Sequence, residues 1–167
     1  MPEFLAVGNW KMNTTVPDAV DLALSIRRGL GDEPVPDVGV VLCPPYISLT
    51  SVFEAMKGSP IMLGAQNAFY ETKGAFTGEI STTMLASTCQ FILIGHSERR
   101  ILLRESQGVI NLKIKAVLES GVRPILCVGE TLAQRELGLA AKVIERQIAS
   151  GLKGVDDVRG LVIAYEP

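Results

Sequence analysis

The stretch Phe91-Ile92-Leu93-Ile94-Gly95-His96-Ser97-Glu98-Arg99-Arg100 decides how this chain is read. Four consecutive apolar residues have the length and composition of a strand buried on both faces. They run directly into the only histidine of a 167-residue chain, followed by Ser, Glu and two Arg. Such residues make poor packing material, and parallel α/β folds place their chemistry at the C-terminal edge of the sheet. Two other apolar runs end the same way. Phe4–Val7 leads into Gly8-Asn9-Trp10-Lys11-Met12-Asn13, and Leu161–Ala164 leads into Tyr165-Glu166-Pro167.

Outward from these three, strand-length runs recur at Val38–Cys43, Ile61–Ala65 and Pro124–Val128, with helical signals in each gap. Pro17 opens one helix, Ser48 precedes a short one closed by Gly58, and Ser81 caps a segment through Thr88. Ser106 caps another whose Ile110, Ile114, Val117 and Leu118 share a face, with Gly121 as its stop. Ala140–Leu152 turns Val143, Ile144, Gln147 and Ile148 inward. Strands about 30 residues apart, alternating with helices, are the spacing of successive βαβ units. The expectation is one domain over residues 1–167, with six parallel strands and five intervening helices.

Six units fit an open doubly wound sheet or part of an eight-stranded barrel. The first strand is followed by Gly8-Asn9-Trp10-Lys11 rather than G-x-G-x-x-G, and no G-x-x-x-x-G-K-[ST] occurs. Dinucleotide and P-loop sites are therefore excluded. Polar residues at the ends of strands one, four and six favour a ring of strands facing a common centre.

Composition narrows the class further. Sixteen basic against eighteen acidic residues leave a net charge of -2, with no basic stripe for a nucleic-acid backbone or an anionic membrane. A mean hydropathy of +0.29 fits strands covered on both faces, and no apolar stretch approaches a bilayer span. Cys43, Cys89 and Cys127 are widely separated, without a CxxC pair, and a single His completes no usual zinc pattern. Buried reduced thiols, no metal site, no secretory signal and a cytoplasmic location are the expectations.

Taken singly, Lys11, His96 and Glu166 have ordinary readings: a solvated lysine, a hydrogen-bonded core histidine, a loop acid. Their settings point to chemistry. Lys11 follows a rigid, partly polar turn that can hold an ammonium over a concave site and offset developing negative charge. After His96, Ser97 can cap a helix and Glu98 lies in its first turn. The positive helix end disfavours an imidazolium, which leaves a neutral ring able to donate to a carbonyl. G-H-S-E-R is not the G-x-S-x-G nucleophile elbow, because Arg99 replaces the second Gly and no second His can act as base. Pro167 disfavours helical geometry at Glu166, whose carboxylate at a strand end is placed as a general base. Glu130 is assigned to structure, holding a neighbouring loop. Gly74–Glu79 is a glycine-flanked loop whose Phe76 suits docking against another subunit.

Gly8–Asn13, Gly74–Glu79, Gly95–Arg100, Cys127–Thr131 and Ala164–Pro167, in this order, resemble the triosephosphate isomerase family. The resemblance implies a homodimeric (β/α)8 TIM barrel that interconverts dihydroxyacetone phosphate and glyceraldehyde 3-phosphate through an enediolate, without a cofactor. It implies that Asn9 and Lys11 bind substrate, that His96 polarises the carbonyl, and that Glu166 moves the proton between the two carbons. Glu98 would steady the Lys11 side. Phe76 and Thr77 would reach a partner subunit, Gln66 and Asn67 would support that interface, and Cys127 would be structural. Such barrels run to roughly 250 residues. Against that length, the expectation is an incomplete barrel that ends after its sixth strand, before the lid and the last two units. It would be inactive or strongly impaired alone, and homo-oligomeric through the Gly74–Glu79 loop and exposed sheet edges. The alternative is a non-catalytic, self-associating fragment, element-swapped between copies, or one half of a split enzyme.

Overall fold

A computed structural model describes residues 4–167. Residues 1–3, included in the single-domain expectation, lie outside the described residues. Among the described residues, contacts cluster into two compact units, residues 4–66 with 85–91, and residues 67–84 with 92–167.

In the first unit, β1 (Phe4–Asn9), β2 (Val38–Cys43) and β3 (Met62–Ala65) lie in sequence order. β1 and β2 run parallel in a register from Phe4↔Val38 to Asn9↔Cys43, and β2 pairs β3 at Val41↔Met62 and Leu42↔Leu63. Parallel neighbours need a crossover. Here it is α1 (Val16–Leu30) and then α2 (Tyr46–Met56). Pro17 sits in the first turn of α1, and Thr15 donates both its backbone N–H (3.3 Å) and its hydroxyl (2.5 Å) to Asp18. Ala19 and Ala23 form the buried stripe of α1, and Leu49, Val52 and Met56 that of α2. Each large aliphatic side chain fully buried in this way contributes about 1.5–3 kcal/mol.

The second unit contains α3 (Thr82–Leu85, up to Met84), β4 (Phe91–Ile94, from Ile92 onward), α4 (Ser97–Ile101), α5 (Gln107–Glu119), β5 (Arg123–Val128), α6 (Leu132–Glu136), α7 (Ala140–Gly151) and β6 (Val162–Tyr165). β5 pairs β6 in parallel from Ile125↔Val162 to Val128↔Tyr165. α5 buries Ile110, Ile114 and Val117, and the Ser106 hydroxyl caps it by accepting from Val109 N–H at 3.3 Å. Gly121, at φ +78°, stops it as expected. β6 carries no ladder on its outer edge among the described residues, and Ile163 and Tyr165, which share one face of the strand, are about half exposed.

All six expected strands are present, with ends displaced by at most two residues. The helices differ more. Ser48 does not precede α2: the helix begins at Tyr46, after Pro45, and Ser48 is buried inside it with an unpaired hydroxyl. Proline's fixed φ suits a helix entrance, and it overrides the preference for serine. Ser81 does cap, accepting from Met84 N–H at 3.3 Å, but α3 is a four-residue turn. α4 and α6 are short helices directly after β4 and β5, which raises the five expected helices to seven described ones.

Gly64 shows how tightly the first unit is packed. A Cβ there would lie 2.6 Å from Cys43 Sγ, 3.2 Å from Val41 Cγ1 and 3.4 Å from the Phe91 carbonyl oxygen. Gly64→Ala is therefore expected to lower stability by about 1–3 kcal/mol, the usual cost of overpacking. Urea denaturation reads it as a lower midpoint at unchanged slope, and a midpoint equal to wild type would show that the site has slack.

Candidate active site

His96 follows β4 through Gly95 and is itself the N-cap of α4, which corrects the assignment of that role to Ser97. Its Nδ1 accepts the backbone N–H of Glu98 at 3.3 Å. An imidazole nitrogen that accepts a hydrogen bond has no proton, so the ring proton lies on Nε2. Nε2 is 3.2 Å from Glu166 Oε2, whereas Nδ1 is 3.6 Å from Glu98 Oε2. The His96 side chain is 7% exposed and that of Glu166 42%, so the ring is fixed while the carboxylate reaches solvent. A ring nitrogen and a carboxylate oxygen thus lie 3.2 Å apart.

The end of β5 positions Glu166. Its backbone N–H bonds to the Val128 carbonyl at 2.9 Å, one residue beyond the β5–β6 ladder. Its carbonyl presses on Gly129, where a Cβ would come within 1.8 Å of that oxygen. Only glycine admits so close a backbone approach. The amide of Gln147 on α7 grips Gly129 from the other side, Oε1 accepting Gly129 N–H at 2.9 Å and Nε2 donating to Gly129 O at 2.8 Å.

Next in the chain, the buried Glu130 accepts from Arg135 Nε (2.8 Å) and from the Tyr165 hydroxyl (2.9 Å). Burial opposes its ionisation, but its own backbone N–H, Tyr165 and Arg135 together hold it below the ordinary carboxylate value. Glu130 thus ties α6 to β6, a structural task like the one expected of it.

Arg100 anchors the loop around His96. Its Nε donates to Gly95 O at 2.5 Å and its Nη2 to Cys127 O at 2.9 Å. Gly95 adopts φ +73°, a backbone conformation that favours glycine, and a Cβ there would sit 2.8 Å from Arg100 Nη2 and 3.2 Å from Ile110 Cδ1. Burial pushes the Cys127 thiol up to about 12, with the Glu166 charge adding to the effect and Arg100 opposing it. Cys127 is thus a protonated packing residue beside the carboxylate. Behind this loop lies a buried ion network. Glu105 bonds Arg99 Nε at 2.7 Å and also contacts Lys113 Nζ, which donates to Asn67 Oδ1 at 2.8 Å.

In the first unit, Asn9 ends β1 and its Oδ1 accepts Lys11 N–H at 3.0 Å. Lys11 is exposed and takes the left-handed φ of +55°. Gln66 Nε2 clamps the turn, donating to Lys11 O at 2.9 Å and to Cys43 O at 2.8 Å. In the second unit, Phe76 is 42% exposed, its ring tilted on Phe69 at 4.7 Å, with Thr77 exposed beside it. His96, Glu98 and Glu166 therefore share one site, Asn9 and Lys11 share one turn, and Phe76 and Thr77 share one loop. Sequence reasoning missed Arg100, Gly129, Gln147 and the Glu105–Lys113 pair. The signal available for Gln147 and Lys113 was a polar residue in the inward register of an amphipathic helix.

The sequence profile of the family described as triosephosphate isomerase matches residues 4–167. The chain is 50% identical over 165 residues to the triosephosphate isomerase of Chlorobium luteolum, covering 98% of this chain and 65% of that one. It is 45% identical over 167 residues to that of Dehalococcoides mccartyi, covering 100% and 65%, and 44% identical over 169 residues to that of Prosthecochloris aestuarii, covering 100% and 66%. It thus spans about 65% of the length of these relatives.

Burial works against ionisation of Glu105, but hydrogen bonds and charge from Lys113 and Arg99 outweigh it and hold the carboxyl below its ordinary 4.5. A carboxyl lowered on folding stabilises fully above that value, and the benefit disappears as pH falls through the folded-state value. Unfolding midpoints measured from pH 7 downward should therefore decline on acidification, and Glu105→Gln should flatten that decline. Lys113→Met, which removes one of the two cations bonded to the buried carboxylate, should cost about 1–3 kcal/mol at pH 7. An unchanged acid limb in Glu105→Gln would remove Glu105 from the acid sensitivity.

Proposed function

This chain belongs to the triosephosphate isomerase family, and from that premise we propose that its described residues carry the proton-transfer apparatus of a triose-phosphate isomerase. The reaction interconverts dihydroxyacetone phosphate and glyceraldehyde 3-phosphate. The observation that carries this reading is the facing pair of His96 Nε2 and Glu166 Oε2, 3.2 Å apart, with Nδ1 occupied by a backbone N–H.

Isomerisation needs a base for an acidic C–H and a donor for the neighbouring carbonyl oxygen. Glu166 takes the proton from the carbon beside the carbonyl, and the C–H electrons become the C=C of the enediolate. The carbonyl oxygen gains the charge and a hydrogen bond from His96 Nε2–H. His96 Nε2 passes its proton to that oxygen and recovers one from the neighbouring hydroxyl, and Glu166 returns its proton to the adjacent carbon, so that the C=C electrons are released and the deprotonated oxygen becomes the new carbonyl. Lys11 supplies the cation that offsets phosphate and enediolate charge, Asn9 binds substrate, and Glu98 supports the charged side chains. No cofactor enters this scheme, since every step moves only protons and electron pairs within one substrate.

A second reading concerns assembly and location. We propose a cytoplasmic homo-oligomer, with the Gly74–Glu79 loop and the open edge of β6 as contact surfaces. The half-exposed Phe76, Ile163 and Tyr165 support it. No described helix is long and apolar enough to cross a membrane.

A coupled isomerase assay, on chain expressed in a host lacking its own isomerase, tests the catalytic reading. Turnover is expected to fall by about 10²–10⁴-fold in Glu166→Gln and in His96→Gln, the range a positioned acid or base supplies. The assay is run alone and with a polypeptide supplying the remainder of the relatives' length. Turnover absent in both arms, or unaffected by Glu166→Gln, overturns the reading. Light scattering checks assembly, and a monomer at all concentrations refutes the oligomer.

A further inference from the structure

Gln147 sits on α7 among apolar neighbours, 8% exposed, on a helix whose other buried residues are Val143 and Gly151. A buried carboxamide needs partners. Both ends of this one go to the same backbone unit, Gly129, at 2.9 and 2.8 Å. The pair imitates one rung of a sheet ladder, applied by a side chain just where the β5–β6 pairing ends at Val128↔Tyr165. On its other face Gly129 abuts the Glu166 carbonyl with no room for a Cβ. The Glu166 backbone is therefore held between the Val128 carbonyl, which accepts its N–H, and a glycine immobilised by Gln147.

We infer that Gln147 is a positioning residue for Glu166: it fixes Gly129, Gly129 limits where the Glu166 backbone sits, and that sets the 3.2 Å approach of the carboxylate to His96. Gln147 touches none of the reacting groups itself. Its effect is transmitted through one glycine, and reactive groups must be held to within a fraction of an ångström to work. The inference rests on Glu166 being the base, but the coupling of Gln147 to the Glu166–His96 contact can be read without turnover.

His96 is the only histidine in the chain, so protein labelled with ¹⁵N-histidine gives one imidazole spin system. Three variants are compared with wild type: Gln147→Leu removes both bonds to Gly129, Gln147→Glu keeps an acceptor for the Gly129 N–H, and Val143→Ala destabilises the same helix without touching Gly129. The Nε2 signal, which faces Glu166, is expected to move in Gln147→Leu, to move less in Gln147→Glu, and to stay in place in Val143→Ala. Where wild-type turnover is measurable, kcat should fall by about 10- to 100-fold in Gln147→Leu with KM nearly kept, since misplacement rather than binding is affected. A folded Gln147→Leu with the wild-type Nε2 signal overturns the inference, as does an equal displacement in Val143→Ala. If Gln147→Leu does not fold, Gln147→Glu decides: an unmoved signal overturns the inference and a moved one supports it. Absence of wild-type turnover defeats the proposed activity and leaves the imidazole comparison standing.

Discussion

The end of β5 is the constraint on which the second unit depends. Four successive residues there each hold a different piece of the site. The Cys127 carbonyl takes the Arg100 guanidinium, the Val128 carbonyl takes the Glu166 N–H, Gly129 is gripped by Gln147, and Glu130 takes Arg135 and Tyr165. Five of the six residues of β5 are buried, so its backbone has little freedom. A strand of this kind can hold a carboxylate to a fraction of an ångström, which an exposed loop cannot.

The histidine is controlled in a different way. Its Nδ1 accepts a backbone N–H from the first turn of its own helix, and its Nε2 lies 3.2 Å from Glu166 Oε2. The buried charges nearby have partners of opposite sign: Glu105 meets Arg99 and Lys113, and Glu130 meets Arg135. Opposite charges at these spacings reduce the desolvation penalty of each. The site therefore has a buried imidazole and two half-exposed carboxylates, Glu98 and Glu166, beside it.

The strands were legible because burial on both faces writes them as short apolar runs, and Val38–Cys43 and Phe91–Ile94 match the structure residue for residue. His96 and Glu166 were legible because polar residues at such strand ends have little packing value. Their convergence within one unit was not, since no spacing rule joins positions 70 residues apart. The cap of α4 was misread because serine is the commoner cap, whereas here the ring nitrogen of the preceding residue does the work. Glu105 and Lys113 are eight residues apart across a helix start, outside the i,i+4 pattern that marks ion pairs in sequence. Gln147 could be assigned to the inward face, but nothing in sequence says that its amide closes on a glycine 18 positions earlier.

The three cysteines are all reduced and buried, and burial raises the Cys89 and Cys127 thiols above their ordinary value. A thiol reacts with alkylating reagents as its anion, and only when the reagent can reach it. All three are buried, and Cys89 and Cys127 are in addition held as thiols, so modification has to wait for a structural opening. Cys43 belongs to the first unit and Cys89, beside β4, to the same one, while Cys127 belongs to the second. The cysteines thus form a built-in clock with separate hands: the labelling rate of each thiol times how often its own part of the molecule breathes.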